Sequence, residues 1–91
     1  MSLYREIERN FYKIESFFTP GELLGFECTP VGWLFKYNLT VGARIRETLL
    51  TEGSRLYRLF QSEKVRRADD MSAIMILLFH CYIHMTPPCP Q

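Results

Sequence analysis

Asp69-Asp70-Met71-Ser72-Ala73-Ile74-Met75-Ile76-Leu77-Leu78-Phe79-His80-Cys81-Tyr82-Ile83-His84-Met85 is the stretch around which the rest of the chain has to be arranged. Between positions 71 and 79 only Ser72 interrupts the apolar side chains. Asp69 or Asp70 supplies an N-cap and the negative charge that a helix start favours. Thr86-Pro87-Pro88 supplies the stop, because proline has no N–H to donate and its ring clashes with the preceding turn. The pattern predicts a helix to about Met85 that is apolar nearly all round and therefore buried on all sides. It is too short to cross a bilayer and it carries two histidines. Ile74, Leu78 and Tyr82 share one face, with Ile76 and Leu77 covering others, so this helix is expected to be the core.

The segments before it are shorter and amphipathic. Residues 2–18 read as a first helix, with Ser2 as cap and Leu3, Ile7, Phe11, Ile14 and Phe18 at helical spacing. Thr19-Pro20-Gly21-Glu22 has the form of a capping box with proline at the first helical position. The helix it starts is expected to end at Gly25. Residues 42–52 read as a helix with Ile45, Leu49 and Leu50 inward and Gly53 at its end. Ser54 restarts the chain as a helix to about Val65, with Leu56, Leu59 and Phe60 inward.

Residues 31–41 are ambiguous. Val31, Trp33, Phe35, Tyr37, Leu39 and Val41 alternate with Gly32, Leu34, Lys36, Asn38 and Thr40, which is the period of a strand. A lone strand leaves its backbone groups unpaired. A helix capped by Thr29, with Pro30 first and Trp33, Leu34 and Tyr37 buried, is the preferred reading. The expected fold is all-α or mainly α: a bundle of four to five short helices, a short β segment around 31–41 being the alternative.

With 91 residues the chain is one domain, 1–91, whose small core is marginal without dense packing, a staple or a partner. Its hydrophobic fraction of 47% excludes a disordered chain. Seven Phe, five Tyr and one Trp are many for such a length and suit a small core or an interface. The three cysteines, odd in number and unevenly spaced, do not form a secreted disulfide framework. The charged start lacks the apolar region of a signal peptide. A reducing compartment, cytoplasmic or nuclear, is expected, where the sequon at Asn38 is never glycosylated.

Net charge is +1, yet Arg44, Arg46, Arg55, Arg58, Lys64, Arg66 and Arg67 face only Glu47, Glu52 and Glu63, a local excess of four positive charges. Such a segment serves phosphate or an acidic protein surface. A solvated helical face accounts for it equally well. Interleaved carboxylates and near-neutral net charge favour a protein partner over nucleic acid, which stands as the alternative.

One cluster carries chemistry. His80 and His84 are four residues apart on one helical face, and Cys81 and His84 three apart on the next. A tetrahedral zinc site needs four such ligands. Cys81, His84 and Cys89 supply three, and Cys28 a fourth from a distant loop. The competing reading buries Cys81 as a small hydrophobe and sets both histidines at their own helix's C-terminus. Nothing resembles a phosphate loop or an oriented nucleophile, so no enzyme and no cofactor beyond that zinc alternative are expected. The surplus of large apolar side chains points to a small interaction or adaptor module, an accessory protein (a viral one included). It would self-associate through Trp33, Phe35 and Tyr37 or through the last helix and hold a protein partner.

Overall fold

The computed structural model describes residues 2–85. Among these residues the backbone forms six α-helices and one 3₁₀ helix, and no strand. The chain is thus mainly α. The helices are α1 (Leu3–Glu8), α2 (Phe11–Ser16), α3 (Pro20–Glu27), the 3₁₀ helix (Val31–Leu39), α4 (Val41–Thr48), α5 (Arg55–Ser62) and α6 (Ala68–Met85).

α6 is the axis of the fold. Met71, Ser72, Met75, Ile76, Phe79 and His80 recur every three to four residues and are buried. α3, α4, α5 and the 3₁₀ helix all pack against it. Phe79 lies at the centre, its ring centroid 5.6 Å from that of Phe11, 6.1 Å from Phe18 and 5.8 Å from Phe26. The expectation of burial on all sides is corrected. Ala73, Leu77, Cys81 and Tyr82 are exposed, and Ile74, Leu78 and Ile83 are half-buried. The short helices around α6 cover one side of it, and apolar composition cannot show how many neighbours a helix has.

The first helix is broken. Asn10 leaves helical geometry at φ −104°, ψ 4°, and its Nδ2 donates to Glu6 O at 2.8 Å. A short amide side chain that bonds the backbone locally competes with helix continuation. The apolar spacing survives the break, since Ile7, Phe11, Ile14 and Phe18 are all buried.

α3 starts as its sequence predicts. Glu22 N donates to Thr19 Oγ1 at 3.2 Å while Thr19 N donates to Glu22 Oε1 at 2.8 Å. It does not end at Gly25 but continues to Glu27, burying Phe26 completely. The stop is Pro30, which disfavours helix in the residue before it. Thr29 does not cap the next element. Its Oγ1 donates backward to Gly25 O at 2.7 Å.

Residues 31–39 are neither strand nor α-helix. In a 3₁₀ helix side chains three apart eclipse one another. Leu34 and Tyr37 therefore form the inward column, Leu34 buried and Tyr37 half-buried, while Trp33 is exposed rather than buried. The period of two in the sequence has no structural counterpart. Tyr37 packs edge-on against Phe26 at 4.9 Å, and its hydroxyl lies 3.2 Å from Thr29 Oγ1.

Further on, Ile45, Leu49 and Leu50 are buried as expected. Gly53 takes the left-handed turn at φ +92°, a conformation glycine adopts without steric cost. Ser54 caps α5, its Oγ accepting from Tyr57 N at 3.1 Å. α5 ends at Ser62, earlier than expected, before Lys64 turns the chain at φ +69°. Leu56 and Phe60 are buried, Leu59 half-buried.

A polar cluster binds α4, α6 and the 3₁₀ helix together. Arg46 Nη1 donates to Ser72 Oγ at 2.8 Å and to Asn38 Oδ1 at 3.2 Å. Arg46 Nε lies 3.4 Å from Asp69 Oδ1, and Asn38 Nδ2 donates to Asp69 O at 3.2 Å.

Candidate interaction surface

The outward side of the 3₁₀ helix is aromatic. Trp33 is 60% exposed and Phe35 69% exposed. Their rings stack with centroids 6.1 Å apart and planes 27° from parallel. Val31 and Leu39 extend the apolar surface along the same element. Of the three residues expected to mediate self-association, Trp33 and Phe35 face solvent. Tyr37 faces inward, because it falls in the eclipsed column with Leu34.

Beside this face lies an open, mainly apolar cavity of about 840 Å³ between the end of α3 and the end of α6. Cys28, Pro30, Val31, His80, Cys81 and Met85 contribute to its wall. Both cysteines are free and exposed, so the reading of Cys81 as a buried small hydrophobe does not hold. The structure brings Cys28 to the same cavity as Cys81 and His84, a placement that the sequence could not supply. Cys89 lies outside the described residues. Among the described residues no three His, Cys, Asp or Glu side chains converge as a metal cage.

The two histidines do not serve the end of their own helix. His80 Nε2 bonds Thr29 O at 3.0 Å, and His84 Nε2 bonds Glu27 O at 2.7 Å. A carbonyl oxygen only accepts, so each Nε2 carries the proton. The imidazoles thereby satisfy carbonyls at and just past the C-terminus of α3, which have no intrahelical partner of their own. The two rings stand 4.4 Å apart, and His80 packs edge-on against Phe26 at 5.2 Å. Burial and the neighbouring His84 hold the His80 imidazole below its usual pKa, opposed by the bond to Thr29.

The cations of 44–67 are dispersed. Arg46 belongs to the Asn38–Ser72–Asp69 cluster. Arg55 Nη1 lies 4.0 Å from Glu6 Oε1 on α1, and Arg67 pairs with Asp69 at 3.7 Å. Arg46 and Arg55 are thus committed to different neighbours. Arg44 lines a separate cleft of about 380 Å³ with Glu22 and Tyr37. Arg58, Lys64 and Arg66 are exposed.

A family model described as Domain of unknown function (DUF6794) matches residues 6–83. The chain belongs to the DUF6794 family. The matched span contains the break at Asn10, the aromatic 3₁₀ helix and all but the last two residues of α6. No curated protein and no solved structure matches the chain.

Sequence reasoning missed the histidine–carbonyl links and the Asn38–Arg46–Ser72 cluster. The spacing of His80 and His84 was the only signal of the first. The second joins residues 34 positions apart and leaves no local trace.

Proposed function

We propose that this DUF6794 chain is a non-enzymatic protein–protein interaction module that pairs with a second copy of itself through the aromatic face of its 3₁₀ helix. The observation that supports the reading is the stacked, solvent-facing pair Trp33–Phe35. Aromatic side chains bury about 150–250 Å² each, so at these exposures the two present roughly 250 Å². Val31 and Leu39 continue the patch, and Met85 stands in the neighbouring cavity. Together they approach the size of an apolar patch that marks a binding site, and a large part of the roughly 800 Å² that each side of a standard interface contributes. Residues 31–35 carry no charge, and Lys36 is the one charged side chain between Trp33 and Leu39. A marginal core gives the same face a second role, because association adds stability that rises with the logarithm of protomer concentration.

The mixed-charge helices suit a protein partner, the accessory or adaptor role. Nucleic-acid binding through 44–67 draws less support, since Arg46, Arg55 and Arg67 are paired with Asp69 or Glu6 within the chain. No helix among the described residues is long and apolar enough to cross a membrane. Exposed free thiols at Cys28 and Cys81 suit a reducing cytoplasmic or nuclear compartment.

Sedimentation over a dilution series tests the reading. A dimer at micromolar concentration that the Trp33→Ala, Phe35→Ala double variant converts to a folded monomer supports it. A wild-type monomer whose stability does not change with concentration overturns it.

A further inference from the structure

We propose that the cleft between α3, the 3₁₀ helix and α4 is a binding site for a small zwitterion with an aromatic body, a free aromatic α-amino acid being the type. This inference does not rest on self-association.

The cleft is formed before any ligand arrives. Its volume of about 380 Å³ falls within the roughly 300–1,000 Å³ of small-molecule sites. Phe17, Phe18 and Tyr37 line it with aromatic rings. Phe18 and Tyr37 have centroids 6.2 Å apart, and each packs against the fully buried Phe26 at 4.9 Å. The core therefore holds these two rings in place, and a ligand ring beside them gains stacked or edge-on contact. Gly25 lines the same cleft without a side chain. A Cβ there would meet nothing within 4 Å, so the glycine keeps that part of the cleft open. The backbone gives no other reason for it. Gly25 lies inside α3 without a positive φ, where glycine is less stable than alanine.

The charges select the ligand. Arg44 on α4 and Glu22 on α3 are both exposed and both line the cleft. Among the described residues they form no ion pair with each other or with a third side chain. Glu22 Oε1 accepts from Thr19 N in the capping box, which leaves Oε2 for a ligand. The first turn of α4 has no acidic residue and no side-chain cap, so its partial positive charge adds to that of Arg44. A carboxylate fits beside Arg44 in a charge-assisted hydrogen bond, and an ammonium fits beside Glu22. A ligand with one charge leaves one of these groups unanswered, and a zwitterion answers both. The end of a long peptide carries only one of the two charges, so a free amino acid fits better than a chain terminus.

Titration of the full chain with L-phenylalanine, followed by amide chemical shifts, is the test. Phenethylamine and hydrocinnamate serve as probes that keep the ring and one charge each. L-phenylalanine should bind with a dissociation constant of about 1 mM or lower, as so small a ligand allows. Each single-charge probe should bind about tenfold more weakly or worse. Arg44→Gln should weaken L-phenylalanine by a similar factor. So should Glu22→Gln, in which the amide keeps the capping box but not the charge. Gly25→Leu should fill the cleft and abolish binding; if that variant does not fold, the two charge variants decide. Four outcomes overturn the proposal: no binding of L-phenylalanine up to about 10 mM, a single-charge probe as tight as L-phenylalanine, unchanged binding in either charge variant, or a folded Gly25→Leu chain that still binds.

Discussion

Ser72 Oγ donates to Asn38 Oδ1 at 2.6 Å, tying α6 to the last turn of the 3₁₀ helix across 34 positions of sequence. Ser72 is fully buried, and its hydroxyl also accepts from Arg46. Arg46 brings a charge into this half-buried place, and Asn38, Ser72 and Asp69 divide its donors among them. Removing one partner leaves the others desolvated and incompletely bonded, which costs about 1–3 kcal/mol. Ser72→Ala should lose that much stability in urea unfolding. A variant as stable as wild type would show that water replaces the hydroxyl at no cost.

The same cluster sets the sign of a glycine substitution. A Cβ at Gly42 would collide with Asn38 Oδ1 and crowd Arg46 Nη1, whereas one at Gly25 would meet nothing within contact range. Alanine in place of a helical glycine ordinarily stabilises by about 0.4–1 kcal/mol. Gly25→Ala should raise the thermal midpoint and Gly42→Ala lower it. Equal shifts from the two would mean that Asn38 moves aside freely.

Within α6 the cost of truncation follows burial. Phe79 contacts three other phenylalanines and is almost wholly buried, so Phe79→Ala should cost about 3–5 kcal/mol, close to the whole stability of a small domain. Leu78, one position on, is half-buried and should cost less than the 2–5 kcal/mol range of a fully buried leucine. Denaturant midpoints of the two variants decide the order. A larger loss for Leu78→Ala would place the core on the other side of the helix.

The lowered pKa of His80 makes stability depend on pH. Above the ordinary histidine pKa of 6.5 the ring is neutral in both states and its contribution is complete. As pH falls from 6.5 towards the lower folded value, the unfolded chain binds more protons than the folded one, and stability declines. Unfolding in chelator at a series of pH values should show this slope. In His80→Gln, which keeps an amide donor for Thr29 O but does not titrate, that slope should flatten. An unchanged slope would assign it to other groups.

Arg55 and Arg58 occupy one helix yet should respond differently. Arg55 approaches the largely buried carboxylate of Glu6, while Arg58 lies exposed. Because Arg55 is itself mostly exposed, Arg55→Gln should cost no more than about 1 kcal/mol, and Arg58→Gln almost nothing. Neither change should alter the affinity for random duplex at physiological salt. A salt-sensitive loss of duplex binding in the double variant would assign these arginines to phosphate contacts instead.

The sequence by itself determined where helices begin and which side chains are large enough to fill a core. Thr19, Ser54 and Ser2 cap because their hydroxyls meet N–H groups three residues away, and local chemistry of that kind is written locally. Ile7, Phe11, Ile14 and Phe18 kept their inward face even across the break at Asn10, since their spacing follows from helix geometry alone. Tertiary structure decided the rest. Whether α6 was covered on one side or on all depended on how many short helices surround it. Residues 31–39 form a 3₁₀ helix whose three-residue period sets Leu34 and Tyr37 in one inward column, whereas the period of two in the sequence would have put them on opposite faces. The partners of His80, His84 and Arg46 sit from 8 to 57 positions away. Such pairings cost chain entropy that only the assembled core repays, so they form when the fold does and leave no signature in the order of residues.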